Sequence, residues 1–218
     1  MSEAEFHAQV TLAVGYRYRL DLPDGYAQDA SGRWPLLIFL HGSGERGDDL
    51  QVLTRNGPPK LIAGGQSLPA IVASPVAPDH TVWDPHAVQA LIDALRRTHR
   101  VDDDRIYLTG LSMGGYGVWD TLLAYPDTFA AALPICGGAG AGFIIPERIA
   151  HVPVWIVHGA DDPEVPPADS QRMYDALLAA GGTPKLSLYP GVGHDAWTQT
   201  YADPDLWAWL FAQARPRR

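Results

Sequence analysis

Leu36-Leu37-Ile38-Phe39-Leu40 is a run of apolar residues with no polar position to turn toward water. Such a run suits a strand covered on both faces. The same kind of run returns along the chain, usually followed by a turn and a stretch with helical spacing. Ala70 to Val76 precedes helical periodicity from Pro85 to Arg97, and Arg105 to Leu108 precedes a helix from about Met113 to Ala124. Phe129 to Ile135 and Val154 to Val157 read as further strands. Ala168 to Ala180 reads as a helix stopped by Gly181-Gly182, Leu186 to Tyr189 as a last strand, and Asp205 to Gln213 as a last helix. Upstream, Val10 to Leu20 mixes β-branched, aromatic and polar residues in near-alternation, which predicts an antiparallel edge hairpin. The stretch from Asp21 to Trp34 then reads as a loop. Alternating strands and helices imply an α/β fold, one mostly parallel sheet with helices on both faces. Chemistry in such sheets gathers at the carboxyl ends of the strands.

No repeat, low-complexity tract or linker divides the 218 residues, so the chain reads as one domain over 1–218, with 1–8 and 214–218 as frayed ends. A formal net charge of −9 argues against nucleic acid or an anionic membrane as the main partner. Cys136 is the only cysteine, which rules out an intrachain disulfide and a multi-cysteine metal site. Met1 to Val10 has neither a basic n-region nor a continuous apolar h-region, and no apolar run has the length of a membrane span, so the expected location is the cytoplasm.

The strand ends carry the polar residues that change this picture. Arg105 to Leu108 runs into Thr109-Gly110-Leu111-Ser112-Met113-Gly114, a serine between glycines on a strand-to-helix turn. Leu40 runs into His41-Gly42-Ser43-Gly44-Glu45-Arg46-Gly47, Val157 into His158-Gly159-Ala160-Asp161-Asp162, and Tyr189 into Pro190-Gly191-Val192-Gly193-His194-Asp195. The resulting chain order is serine, acid, histidine, with Ser112, Asp162 and His194 each at its own strand end. A serine hydroxyl becomes a nucleophile when a neutral imidazole accepts its proton, and the imidazole needs a carboxylate to fix its tautomer. A tetrahedral oxyanion needs backbone N–H donors. Met113, following the serine at a helix N-terminus, offers one, and Ser43 in the loop after the Leu36–Leu40 strand offers the other.

These motifs resemble the α/β-hydrolase superfamily of serine esterases, and within it the small bacterial phospholipase/carboxylesterase-like enzymes called predicted peptidases. The resemblance runs from about Tyr16 to Trp209 on FLHGSGERGDD, GPPKLI, DRIYLTGLSMGGYGVW, FAAALPICGG, VWIVHGADDPEVP and LYPGVGHDAW. It implies Ser112 as nucleophile, Asp162 as acid and His194 as base, with no metal or organic cofactor. The expected reaction is hydrolysis of a small-molecule carboxylic ester through an acyl-enzyme. The alternatives are a thioesterase or peptidase using the same triad, and a hydrolase-fold binding protein that has lost activity. Many members of the fold insert a cap where this chain has Gly137 to Pro153, an interval that holds only a loop and a turn of helix near Pro146 to Ala150. The expected site is therefore open.

Other features invite competing readings. Asp161 stands beside Asp162, and the His-Gly-x-x-Asp spacing of the superfamily the chain resembles favours the second. Gly42 to Gly47 also fits G-x-G-x-x-G, but the next strand ends in Ala77-Pro78 rather than in a ribose-binding acid, so a dinucleotide site is set aside. Glu45 and Arg46 either pair to shape their loop or stand in solvent. Asp102-Asp103-Asp104 lacks the glycine and distal glutamate of a calcium loop and reads as a cap on the turn into the following strand. Cys136 reads as a packed residue. Trp83, Trp119 and Trp197 are core or pocket, with Trp197 and Trp83 taken as the substrate-binding candidates.

Overall fold

The computed structural model describes residues 4–8, 11–140 and 145–216. In chain order the elements are β1 (Arg17–Asp21), β2 (Trp34–Leu40), α1 (Gly57–Ala63), β3 (Ile71–Val76), α2 (Pro85–Thr98), β4 (Val101–Leu111), α3 (Met113–Ala124), β5 (Ala131–Ile135), β6 (Trp155–Gly159), α4 (Pro167–Ala179), β7 (Lys185–Tyr189), α5 (Trp197–Ala202) and α6 (Pro204–Phe211). They form one seven-stranded sheet ordered β1-β3-β2-β4-β5-β6-β7, in which only β1 runs antiparallel. This is the α/β-hydrolase fold.

The apolar run in β2 explains the layers. Leu36, Ile38 and Leu40 face a core shared with α2, α3 and α4, while Leu37 and Phe39 face the opposite core under α1, α5 and α6. All five are fully buried, as a strand covered on both faces requires. Asp84 caps α2 by accepting from the His86 N–H at 2.8 Å, with Pro85 at the first helical position, where no backbone donor is needed.

Several boundaries differ from the sequence expectation. Val10 to Leu20 does not form a hairpin: among the described residues only Arg17–Asp21 pairs, against β3, and Val10 lies outside them. Tyr16 and Leu20 pack against the core, but the residues ahead of them stay in solvent, with Leu12 at 60% and Val14 at 38% exposure. The triple aspartate is not a cap ahead of the strand but part of β4, where Asp102 accepts from the Arg105 Nε–H at 2.7 Å. Arg215, in the stretch expected to fray, is docked. The basic end meets the acidic start of β4: the Arg215 N–H donates to the Asp104 carbonyl at 2.9 Å, and its guanidinium to the Asp103 carbonyl at 2.8 Å. The sequence pattern predicts neither α1 nor α5. The former cap interval holds a single 3-10 turn, Pro146–Arg148, with 141–144 outside the described residues. Among the described residues no helix is long and apolar enough to cross a membrane.

Helix α3 starts flush against the sheet. A Cβ on Gly114 would stand 1.9 Å from the carbonyl oxygen of Leu40, so no side chain fits there. In an ordinary helix Gly→Ala gains about 1 kcal/mol; here the clash is with backbone of a central strand and dominates. Gly114→Ala is expected to lower Tm by more than about 10 °C or to abolish soluble expression, since a loss of a few kcal/mol moves Tm by that much. Gly44→Ala, with nothing within 4 Å of the added carbon, should shift Tm by no more than about 2 °C. Thermal unfolding of both variants checks the contrast.

Candidate active site

The order of the strands reverses between β2 and β4, and the carboxyl ends of these neighbours carry the Ser43–Glu45 turn and Ser112. Ser112 has φ +52° and ψ −118°, and its N–H donates to the Ile135 carbonyl at 2.9 Å. This is a strained elbow rather than a loose glycine turn. From β7 the chain turns back so that His194 Nε2 lies 2.8 Å from Ser112 Oγ. His194 Nδ1 lies 2.7 Å from Asp162 Oδ2, supplied by the loop after β6. The sequence-predicted serine, histidine and acid thus come together in one hydrogen-bonded row.

Asp162 is buried and fully engaged. Its Oδ1 accepts from the N–H groups of Glu164 at 2.8 Å and Val165 at 3.0 Å. Burial alone would raise its pKa. The hydrogen bonds from His194 and from the Val165 and Glu164 amides outweigh that and hold it below the usual carboxylate value. Asp161 is exposed, and its N–H is bonded to the Val192 carbonyl at 2.9 Å. Ser43 and Met113 line one cleft of about 450 Å³ with Ser112, alongside Arg46, Val82, Tyr116 and Asp120. A larger cleft of about 740 Å³ opens at the amino ends of the strands around Asp127, His151 and Arg215, and among the described residues no serine or cysteine lines it.

The tryptophans separate. Trp119 is core at 0% exposure. Trp83 contributes only a 3% exposed edge to the cleft wall, and its indole N–H donates to the His41 carbonyl at 3.0 Å. Trp197 packs edge-on against the His194 ring, with centroids 5.1 Å apart at 90°. Glu45 and Arg46 neither pair nor stand free. Glu45 is buried and accepts from Asn56, while Arg46 donates to the carbonyls of Ser43 at 3.0 Å and Thr81 at 3.1 Å.

Two buried histidines, His41 and His158, brace the site. His41 Nδ1 donates to the Gly42 carbonyl at 2.6 Å and Nε2 accepts from the Ala77 N–H at 2.9 Å, which pins the start of the Ser43 loop to the end of β3. His158 Nε2 faces both the Val165 carbonyl at 3.0 Å and Asp162 Oδ2 at 3.1 Å, so it carries the proton, and Nδ1 is left to accept from Ser170 Oγ at 2.7 Å. Both sit in a His-Gly pair closing an apolar strand, and that repeated signature was the available signal. Cys136, His158 and Asp162 place donor atoms within 4.8 Å of one another. Burial pushes the Cys136 thiol up to about 12, which keeps it protonated, and both carboxylate oxygens already have partners. The cluster is poorly suited to hold a metal ion.

Residues 72–205, more than half of the chain, match the dienelactone hydrolase family. The chain belongs to the dienelactone hydrolase family. This family member is 32% identical to a thermostable esterase of known structure, with a TM-score of 0.77 over 91% of this chain and 59% of that one. It is 29% identical over 131 residues to carboxylesterase SOBER1 of Arabidopsis thaliana, covering 58% of this chain and 57% of the relative. It is 26% identical over 204 residues to an uncharacterized secreted protein of Arthroderma benhamiae, which covers 77% of this chain but 22% of that protein. The chain therefore spans less than two thirds of the length of each of these relatives.

Burial also sets a pH dependence of stability. It drives the His41 pKa from 6.5 down to about 4. The unfolded imidazole takes up a proton below 6.5 while the folded one resists until about 4, so stability is complete above that window and drains as pH falls through it. The full effect is roughly 3 kcal/mol. Urea unfolding is expected to give a stability lower by about 2–3 kcal/mol at pH 4.5 than at pH 7.5. A His41→Gln variant should lose less on acidification. Equal losses in the two proteins would remove His41 from this role.

Proposed function

We propose that this chain is a serine carboxylesterase that hydrolyses short-chain carboxylic esters through an acyl-enzyme. The observation that carries the proposal is the unbroken row Ser112 Oγ–His194 Nε2–Asp162 Oδ2, at 2.8 and 2.7 Å, on three separate strand ends. The family, SOBER1 and the thermostable esterase support ester chemistry.

The geometry supports the following course. Neutral His194 takes the Ser112 proton as Oγ attacks the ester carbonyl, and the carbonyl π electrons move to oxygen. The oxyanion accepts from the N–H groups of Met113 and Ser43. Met113 is the first residue of α3, where the helix itself supplies no acceptor for the N–H. Collapse breaks the C–O bond, and the alcohol leaves with the proton from the imidazolium. A water then repeats the sequence against the acyl-serine, with His194 as base, and releases the acid. Asp162 stays ionised throughout, fixing the Nδ1–H tautomer and stabilising the imidazolium.

Removal of the nucleophile or base should abolish most activity, with kcat falling roughly a thousandfold or more in Ser112→Ala and His194→Ala. Asp162→Asn should cost on the order of ten-thousandfold, and Asp161→Asn less than about tenfold, because Asp161 points to solvent. Steady-state kinetics on p-nitrophenyl butyrate, with circular dichroism as a folding control, decides. A folded Ser112→Ala or His194→Ala variant above a tenth of wild-type kcat contradicts the assignment, and a larger loss at Asp161 moves the acid role one residue upstream.

The open cleft sets the acyl preference. Each methylene that stays wet gains far less than the ~0.8 kcal/mol of full burial, so binding energy stops growing after a few carbons. The highest kcat/KM is expected on acetyl to butyryl esters, with a decline by octanoyl and no rate jump at the solubility limit. A C2–C16 series, run beside feruloyl esters and acyl thioesters, tests this. A maximum at C10 or beyond, or an interfacial jump, contradicts the open-site account.

A further inference from the structure

Helix α1 begins in an unusual way. Its N-cap is Asn56, a residue type whose side chain normally accepts from the backbone N–H of the second or third helical residue. In α1 those positions are Pro58 and Pro59, which have no N–H, and Asn56 makes no capping bond. The amide is free to act elsewhere, and both of its ends are used. Asn56 Nδ2 donates to Glu45 Oε1 at 2.5 Å, and Asn56 Oδ1 accepts from the Trp197 indole N–H at 3.1 Å. Gly57 holds φ +65°, and a Cβ there would lie 2.4 Å from the Phe39 ring, so the backbone presenting Asn56 is itself fixed against β2.

The two partners belong to the two halves of the site. Glu45 closes the Ser43–Glu45 turn, where its N–H bonds to the Gly42 carbonyl at 3.3 Å, and it is buried without an ion-pair partner among the described residues. Trp197 opens α5 and packs edge-on against His194. We propose that Asn56 is a positioning residue that locks the Ser43 loop and the His194 ring into one register through the Glu45–Asn56–Trp197 bridge. The proposal rests on the esterase reading, in which the Ser43 N–H must face the oxyanion while His194 faces Ser112. A bridge that sets the distance between those groups acts on the transition state, because misplacement by about 1 Å can cost on the order of a hundredfold. Substrate that binds before the oxyanion forms is much less affected.

The bridge predicts a rescue. Asn56→Asp keeps the acceptor for Trp197 but removes the donor to Glu45 and sets a half-buried carboxylate against the buried one of Glu45. Its kcat on p-nitrophenyl butyrate should fall about 10- to 100-fold, with KM within about threefold of wild type. Glu45→Gln keeps an acceptor for Asn56 and should stay within about fivefold of wild-type kcat. The double variant Glu45→Gln/Asn56→Asp rebuilds the bridge with its polarity reversed, an amide at 45 donating to a carboxylate at 56. It should recover to within about fivefold of Glu45→Gln. A folded Asn56→Asp variant within twofold of wild type, or a double variant no better than Asn56→Asp, overturns the proposal. Should Asn56→Asp not fold, Trp197→Phe decides, since it keeps a six-membered ring against His194 while removing the five-membered ring that carries the N–H. A kcat lowered about fivefold or more at unchanged KM supports the bridge, and wild-type kcat overturns it. Activity that survives in Ser112→Ala would instead overturn the esterase reading itself, so the two failures are distinguishable.

Discussion

Ser112 occupies a backbone conformation that costs an L-residue on the order of 1–3 kcal/mol, and the surrounding chain is packed so that it has no other place to go. Its N–H is tied to the end of β5, while the helix it starts is pressed onto the end of β2 through the missing side chain of Gly114. The loops that bring the acid and the histidine are clamped to each other in the same manner. Ala160 and Asp161 donate to the carbonyls of Tyr189 and Val192, both at 2.9 Å, and a Cβ on Gly159 would stand 1.9 Å from the Gly193 carbonyl. Serine, acid and histidine are thus placed by backbone contacts that substitution disrupts, not by flexible side chains reaching across a gap.

Charge within this frame is rationed. His41 and His158 are buried and shifted toward neutrality, chiefly by desolvation, so each serves as a fixed donor and acceptor. Asp162 keeps its charge in spite of burial because His194 and two backbone amides meet it. The result is one buried, ionised carboxylate between two imidazoles, His194 on the side of the nucleophile and the neutral His158 behind it, with the exposed Glu164 carboxylate 3.8 Å from His194 Nε2. This is the electrostatic arrangement that stabilises an imidazolium formed for the lifetime of a transition state.

The parts of this design readable in the sequence were those with strong local signals. The fully buried strands announced themselves as unbroken apolar runs, and Ser112, Asp162 and His194 stood where those runs ended. What the sequence hid depends on three-dimensional neighbours. Arg17–Asp21 forms a single edge strand because the residues ahead of it, with Leu12 and Val14 exposed, are not packed on the sheet, which no alternation pattern can reveal. Trp83 reads equally well as pocket or core, and becomes mostly core because Gly117 leaves room for it: a Cβ there would lie 2.7 Å from that of Trp83. Arg215 looks like a loose basic end until the acidic start of β4 is placed beside it. Asn56 carried a local clue after all. An N-cap asparagine followed two positions later by two prolines has no amide to cap, and its side chain must bond elsewhere.

The central claim is that Ser112 is an activated nucleophile. A fluorophosphonate probe followed by intact mass and peptide mapping tests it most directly, because it requires no knowledge of the natural ester. The account predicts a single stoichiometric adduct on Ser112, absent in Ser112→Ala and formed far more slowly in His194→Ala. No adduct on the folded wild-type protein, or an adduct carried by another residue, would contradict it.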